Sequence, residues 1–290
     1  MKKIILVFLI CFQVIQLLAQ EEVVEKAVDK PVRSPFESAY LIDNQTTYIP
    51  YKNTLEFVIQ HKFGTVEKGI SDLFGIYAPG ANVRLGFNFV VHKNVQVGWG
   101  ITKSNMSNDF NAKWTIVEQT RKNTVPVAVT LYGVAGINGE PNDYFGKDYN
   151  FMGRFSFFAQ AIVSRKFNDW LTLQAGGSFS HFNMVDRTKS DFDKVAVHFN
   201  GRMKFSQRMS FIFNYDQPLP LLVLTNKKGV NSNPNIATGI EISTSTHAFQ
   251  IYAGQYSGIL PQDIMVRNYN NLALKNFAIG FTITRLWSFK

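Results

Sequence analysis

From Phe277 every second residue reads Phe277, Ile279, Phe281, Ile283, Arg285, Trp287 and Phe289, and all but Arg285 are large and apolar. The residues between them, Ala278, Gly280, Thr282, Thr284, Leu286 and Ser288, are mostly small and polar. A period of two puts the two sets on opposite faces of a β-strand. A soluble sheet turns such an apolar face to a core. A membrane barrel turns it to lipid and keeps the polar face inside. The rest of the chain decides between them.

Met1 to Ala19 has the form of an export signal: Lys2 and Lys3, an apolar run from Ile4 to Ile10, then Leu18 and Ala19 before an expected cleavage. The run is short and broken by Gln13 and Gln16, against the roughly 20 residues a spanning helix needs. No later segment is apolar enough for such a helix, so any membrane insertion has to use strands. Cys11, the only cysteine, lies inside the signal. The processed chain therefore has no thiol for a disulfide, a thiolate metal site or a cysteine nucleophile. Losing Lys2 and Lys3 from 30 basic residues leaves 28 against 21 acidic ones, a charge of +7. These cations are scattered and form no basic block, so nucleic acid is not an expected partner. The expected organisation is a signal over 1–19, a periplasmic leader with a possible plug or collar over 20–53, and an outer-membrane barrel over 54–290.

Twelve segments read as strands: Thr54–Phe63, Asn82–His92, Val95–Ser104, Asn111–Thr120, Val125–Gly136, Phe151–Lys166, Trp170–Asn183, Lys194–Phe205, Met209–Asp216, Asn235–Ser243, His247–Gln255 and Asn276–Trp287. Most are near the roughly 9–11 residues a tilted strand needs to cross a bilayer. Their connections alternate between short and long. Lys93-Asn94, Arg121–Thr124, Phe167–Asp169, Ser206–Arg208 and Thr244–Thr246 are tight, whereas Gly64–Ala81, Ile137–Asn150, Gln217–Pro234 and Tyr256–Lys275 are long. Outer-membrane barrels have this asymmetry, with tight periplasmic turns and longer outer loops. The expected fold is an all-β, antiparallel, up-and-down barrel of about twelve strands with both termini periplasmic.

Strand parity assigns the faces. Val195, Val197, Phe199, Gly201, Met203 and Phe205 oppose Ala196, His198, Asn200, Arg202, Lys204 and Ser206. In Phe151–Lys166 the contrast is blurred by Phe158 and Ile162. A charge on a lipid-facing midplane costs about 2–4 kcal/mol, so the charged parity is the lumen. That parity collects Glu56, Gln60, Lys62, Arg84, Lys113, Arg154, His198, Arg202, Lys204, Asp216 and Glu241. Cations outnumber carboxylates, which in an open lumen favours a small anionic solute. In a narrow barrel the same charges would pair and fill the space, and twelve strands are intermediate between filled and wide barrels. Both readings stand at this stage.

Catalytic and metal chemistry find little support. Ser180, His181 and Asn183 suggest a phospholipase set, but adjacent strand residues point to opposite faces, which prevents a direct Ser180–His181 bond. The five histidines have no ligand spacing, and no metal or cofactor is expected. Ile70 to Phe74 suggests a short loop helix capped by Ser71 or Asp72. The terminal strand, through Phe277, Phe281, Trp287 and Phe289, has the form read by the barrel assembly machinery.

The stretch LEFVIQHKFGTVEKGISD from Leu55 to Asp72, continuing into Leu73-Phe74-Gly75 and later Ala81-Asn82-Val83-Arg84-Leu85-Gly86, resembles an uncharacterised family of Gram-negative outer-membrane β-barrels. The resemblance covers nearly the whole processed chain. It implies a barrel in the outer membrane, with lipid, lipopolysaccharide and the assembly machinery as partners, and it carries no activity. Lys62 stands where the family commonly has Arg, which keeps the charge but weakens bidentate recognition. The expected function is a small passive pore or solute-uptake channel. A non-conducting envelope scaffold or secretion partner is the alternative, and a phospholipase is a remote third.

Overall fold

The computed structural model describes residues 29–147, 149–186, 189–219 and 232–289. The expected signal and residues 20–28 of the leader lie outside them. A short pairing of Tyr40–Leu41 (β1) with Asn44–Gln45 (β2) comes first. Twelve strands then close into a barrel: β3 Thr54–Thr65, β4 Asn82–His92, β5 Val95–Thr102, β6 Ser107–Val117, β7 Ala128–Ile137, β8 Phe155–Lys166, β9 Leu171–Phe182, β10 Asp193–Lys204, β11 Met209–Leu219, β12 Asn235–Ser243, β13 His247–Gly254 and β14 Ala278–Ser288. Each pairs antiparallel with its sequence neighbours, and β14 closes on β3 with a shift in register between Ala278 and Gly280. Closure leaves no strand edge without a partner.

All twelve expected segments are strands, with altered ends. The fourth begins at Ser107 rather than Asn111, which brings Asp109 onto the wall. The sixth begins at Phe155, because Phe151–Arg154 is a single 3-10 turn whose Asn150 side chain accepts from the Gly153 amide. The expected strict alternation of short and long connections fails around β6, where the β5–β6 link (103–106) has four residues and the β6–β7 link (118–127) has ten; the other links keep a short-turn end and a long-loop end. In the Lys93-Asn94 turn Asn94 has φ 63°, a left-handed conformation that asparagine tolerates. Gly64 belongs to a close approach instead: its amide donates to the Gly75 carbonyl, and a Cβ there would lie 2.5 Å from that of Ala78. The loop helix after β3 is a 3-10 segment, Val66–Asp72, and its N-terminus has no side-chain cap. Asp72 acts at the other end, accepting from the Gly75 amide, and Ser71 bonds the Lys68 carbonyl.

Alternation separates the faces as expected. Phe87, Phe89, Trp99, Phe110, Trp114, Phe157 and Phe199 point outward, while Glu56, Asn88, Arg84, Lys113, His198 and Arg202 are buried inside. Arg285 is outward, its guanidinium 4.9 Å from the Trp287 ring. Among the described residues no helix is long and apolar enough to cross a membrane.

The inner face is not uniformly polar: beside Val58, which packs with Ala39 and Tyr40, it has two larger apolar stations, and the first accounts for Phe158 on β8. Tyr132, Val134, Phe158, Phe182 and Ala196 face inward toward the long-loop end and pack against Ile264, Met265 and Val266. These three belong to helix α1, Pro261–Arg267, which folds from the β13–β14 loop into the barrel mouth. The second station is Ile212, Ala237 and Tyr252, which receive Phe36, Leu41 and Ile42 from the segment before the barrel. That segment, Phe36 to Tyr48, is a plug inside the lumen.

Candidate functional site: a lumen closed twice

The polar inner wall and the plug form one network. Lys62 points inward and meets Asp43 of the plug at 2.6 Å, while its Nζ also donates to the Tyr256 and Gly258 carbonyls at 2.9 Å each. Its neighbour His61 faces outward, stacked on Phe281 at 5.1 Å, so adjacent residues of one motif serve opposite faces. Arg84 donates through Nε and Nη2 to both oxygens of Asp109, at 2.8 and 2.6 Å, and through Nη1 to Gln60 at 3.2 Å. This is the bidentate fork that makes an arginine–carboxylate pair strong. Lys113 donates to the Gln45 side chain and the Tyr48 carbonyl. Glu56 accepts from Asn88 and Gln96. Arg202 donates to Glu241 at 2.8 Å and to Glu37 at 3.2 Å, and Glu241 also accepts from Gln250. Lys204 is half-buried at the short-turn end, 3.9 Å from Glu37.

Ten of the sequence-expected lumen residues thus belong to the inner wall. Arg154 does not. It lies in the 3-10 turn before β8, where its guanidinium donates to Tyr149, Asn142 and the Asn138 and Glu140 carbonyls. It braces the long loop between β7 and β8. The shift follows from the strand starting four residues later than periodicity implied. The wall cations expected to attract an anion meet carboxylates or carbonyls instead. Three of those carboxylates, Glu37, Asp43 and Asp109, fell outside the expected strands. Of the expected assembly residues, Phe281 faces outward against His61, Trp287 lies beneath Arg285, and Phe289 is exposed just past β14.

Asn44 is the centre of the plug. Its amide donates to Asn214 and Asp216 at 2.6 Å each and accepts from Gln160 at 2.9 Å. Asp216 also accepts from Asn214, Asn235 and His198, and the far nitrogen of His198 is 2.7 Å from Ser178 Oγ. Ser178, His198 and Asp216 therefore have the connectivity of an acyl-transfer triad. A triad also needs converging N–H donors for an oxyanion. Ser178 is within ladders to both β8 and β10, which occupy the flanking backbone. All three side chains are buried. The arrangement serves as a polar brace. Ser180 points inward and His181 outward, where His181 bonds Asp193 and Asn183, so no phospholipase pair forms there.

Among the described residues, polar bonds or ion pairs join the plug to at least ten of the twelve strands. It spans the cross-section. Helix α1 covers only an arc. Its polar anchors are few: Gln262 to Ser156 at 3.2 Å, and Ser232 to the Met265 carbonyl. Arg267 pairs with Asp263 at 3.0 Å and lies 4.4 Å over the Phe182 ring. Burial holds the Asp263 carboxyl above the usual carboxylate range, with Arg267 opposing that shift.

Cavities remain on both sides of these closures. Between the plug and Ile259–Pro261 lies a space of about 20 Å³, enough for about one water. At the short-turn end a 200 Å³ cavity is lined by Glu37, Glu56 and the Thr244–Thr246 turn. At the long-loop end two cavities of 480 and 550 Å³ share the wall made by Asn105, Tyr144, Asp263 and Arg267. Among the described residues no cluster could hold a metal ion.

Comparison with solved structures finds the same barrel fold. An outer membrane channel from Pseudomonas putida F1 is similar over 83% of this chain and 97% of its own, with TM-score 0.51 and 11% identity. The NanC porin is similar over 81% and 99%, with TM-score 0.47 and 8% identity, and the KdgM porin over 82% and 99%, with TM-score 0.44 and 8% identity. Comparison with curated proteins yields no match. A family model does match, over residues 36–287, which takes in the plug together with every strand. The chain belongs to the family described as "Membrane bound beta barrel domain (DUF5777)".

Proposed function

We propose that this protein is a gated, non-enzymatic solute channel of the outer membrane, with its short turns in the periplasm and its long loops outside. The observation that carries the reading is the pair of closures. Both fillers are chain segments attached at one end of the lumen or the other, and neither is part of the wall. Each leaves cavities beside it, so the lumen is obstructed along its length without being solid. A wall of hydrogen-bonding side chains would hydrate readily once the plug left.

The non-conducting scaffold is the second reading, and the plug's bonds to ten strands favour it. Planar-bilayer recording separates the two. The full chain should be nearly silent, with rare openings, and deletion of Glu21–Tyr48 should give steady conductance. A folded deletion variant that conducts no better than bare lipid would refute the channel.

A further inference from the structure

The outer vestibule has a chemistry of its own, and it rests on the gated-channel reading only in supposing that the long loops meet solutes. Its two cavities, at 480 and 550 Å³, are each within the roughly 300–1,000 Å³ of ligand pockets. Most charged side chains of the walls are already engaged, with Lys147 of the 480 Å³ cavity standing apart as an exposed cation. Arg154 spends its guanidinium on four loop acceptors, and Arg267 pairs with Asp263. Lys189 is 3.4 Å from Asp186. An ionic solute would have to break one of these arrangements or rely on Lys147, whose exposed charge is screened by solvent and adds little.

What the walls offer instead are ring faces and mixed donors and acceptors. Tyr144 lines both cavities and Tyr269 one of them, and the two residues are 57% and 42% exposed. Asp263 and Arg267, paired through one guanidinium nitrogen, present acceptor and donor side by side. A vicinal diol satisfies such a fork, because each hydroxyl both donates and accepts. The C–H face of a pyranose ring is weakly positive and suits the negative face of an aromatic ring.

We propose that this vestibule binds an uncharged oligosaccharide, with a sugar face on Tyr144 or Tyr269 and a vicinal diol on Asp263–Arg267. The site includes part of the lid: Asp263 and Arg267 belong to α1, whose residues between them pack on one arc of the mouth. Bound sugar would therefore contact the helix that has to move.

The test uses the full chain refolded in detergent, with saturation-transfer NMR and calorimetry. The probes are neutral trisaccharides (maltotriose, cellotriose, mannotriose and chitotriose), with trigalacturonate as the charged comparator. At least one neutral probe should bind at millimolar strength or better, and trigalacturonate more weakly. Tyr144→Ala with Tyr269→Ala should weaken that binding about tenfold, with heat-modifiability confirming a folded barrel. Asp263→Asn, which keeps the shape, should weaken it by a similar factor. No binding by any neutral probe, tighter binding of trigalacturonate, or unchanged binding in both variants would overturn the proposal. Binding is read on the closed protein, so it can fail while the plug deletion still conducts, and it can succeed while the deletion stays silent.

Discussion

The two bodies that fill this lumen are held in opposite ways. The plug meets the wall through ion pairs and hydrogen bonds spread around the barrel, and its apolar contacts are a cluster around Phe36, Leu41 and Ile42 and a smaller one of Ala39 and Tyr40 on Val58. Helix α1 meets one arc through Ile264, Met265 and Val266, with few polar anchors. Three such side chains contribute about 1.5–3 kcal/mol each on burial, while ordering seven helical residues costs about 1–2 kcal/mol each. These terms are comparable, so the lid is marginal without the rest of its loop. The plug instead carries buried charges whose separation is expensive, since removing one partner of a buried pair costs about 3–5 kcal/mol. One closure is specific and deep; the other is greasy and shallow.

The largest expected effect breaks the symmetry of that comparison. Removing the plug should open the pore, and replacing residues 259–267 by a short Gly-Ser linker should leave the full chain almost silent. Applied together, the two changes should exceed the plug deletion in conductance, because the helix still narrows one arc. If the linker alone opened the channel as far as the plug deletion, the helix would be the principal gate.

A smaller effect sharpens the claim about the plug. Asp43→Asn leaves Lys62 buried against carbonyls with no carboxylate. Openings should become several-fold more frequent, and Asp43→Asn with Lys62→Met should return them toward the parent level, because both charges are gone. Single-channel open probability measures this. Equal openings in the single and double variants would mean that the ion pair does not latch the plug.

Sequence periodicity revealed the wall because every strand has one face turned into the filled lumen and the other turned outward. A strict period of two survives such an environment. The strand ends were less legible, since Arg154 follows strand parity although its backbone is a 3-10 turn. The closures were hardest to read. The plug has only two-residue strands, β1 and β2, and Ile42 between them has φ 55°, which a β-branched residue rarely adopts. Its conformation comes from tertiary contacts, such as the Ile42 amide on Gln250, and these have no local signature. Helix α1 did leave a signal: Pro261 at its first position, Asp263 in the first turn and Arg267 in the last. Phe158 was another, an inward aromatic on a wall expected to be polar. Together they imply something apolar inside the mouth. Ala196, on the lumen parity, is fully buried in the same apolar cluster as α1.

The smallest expected effect concerns the lid alone. Asp263 is buried when α1 is docked, and burial raises its pKa above the ordinary 3.8 despite Arg267. A carboxyl with a raised folded pKa binds more protons docked than released, so docking weakens as pH rises through the interval above 3.8. The lid should therefore be better ordered at low pH than near neutrality. Cys11 is the chain's one cysteine, so in a Cys11→Ser background a spin label can be placed uniquely at Leu272, which is exposed just beyond α1. Its mobility should rise modestly with pH, and Asp263→Asn should flatten that response while leaving the label ordered. The plug deletion should show the same lid response, because α1 packs on the wall at its own apolar station. A response that vanished with the plug would join the two closures into one device.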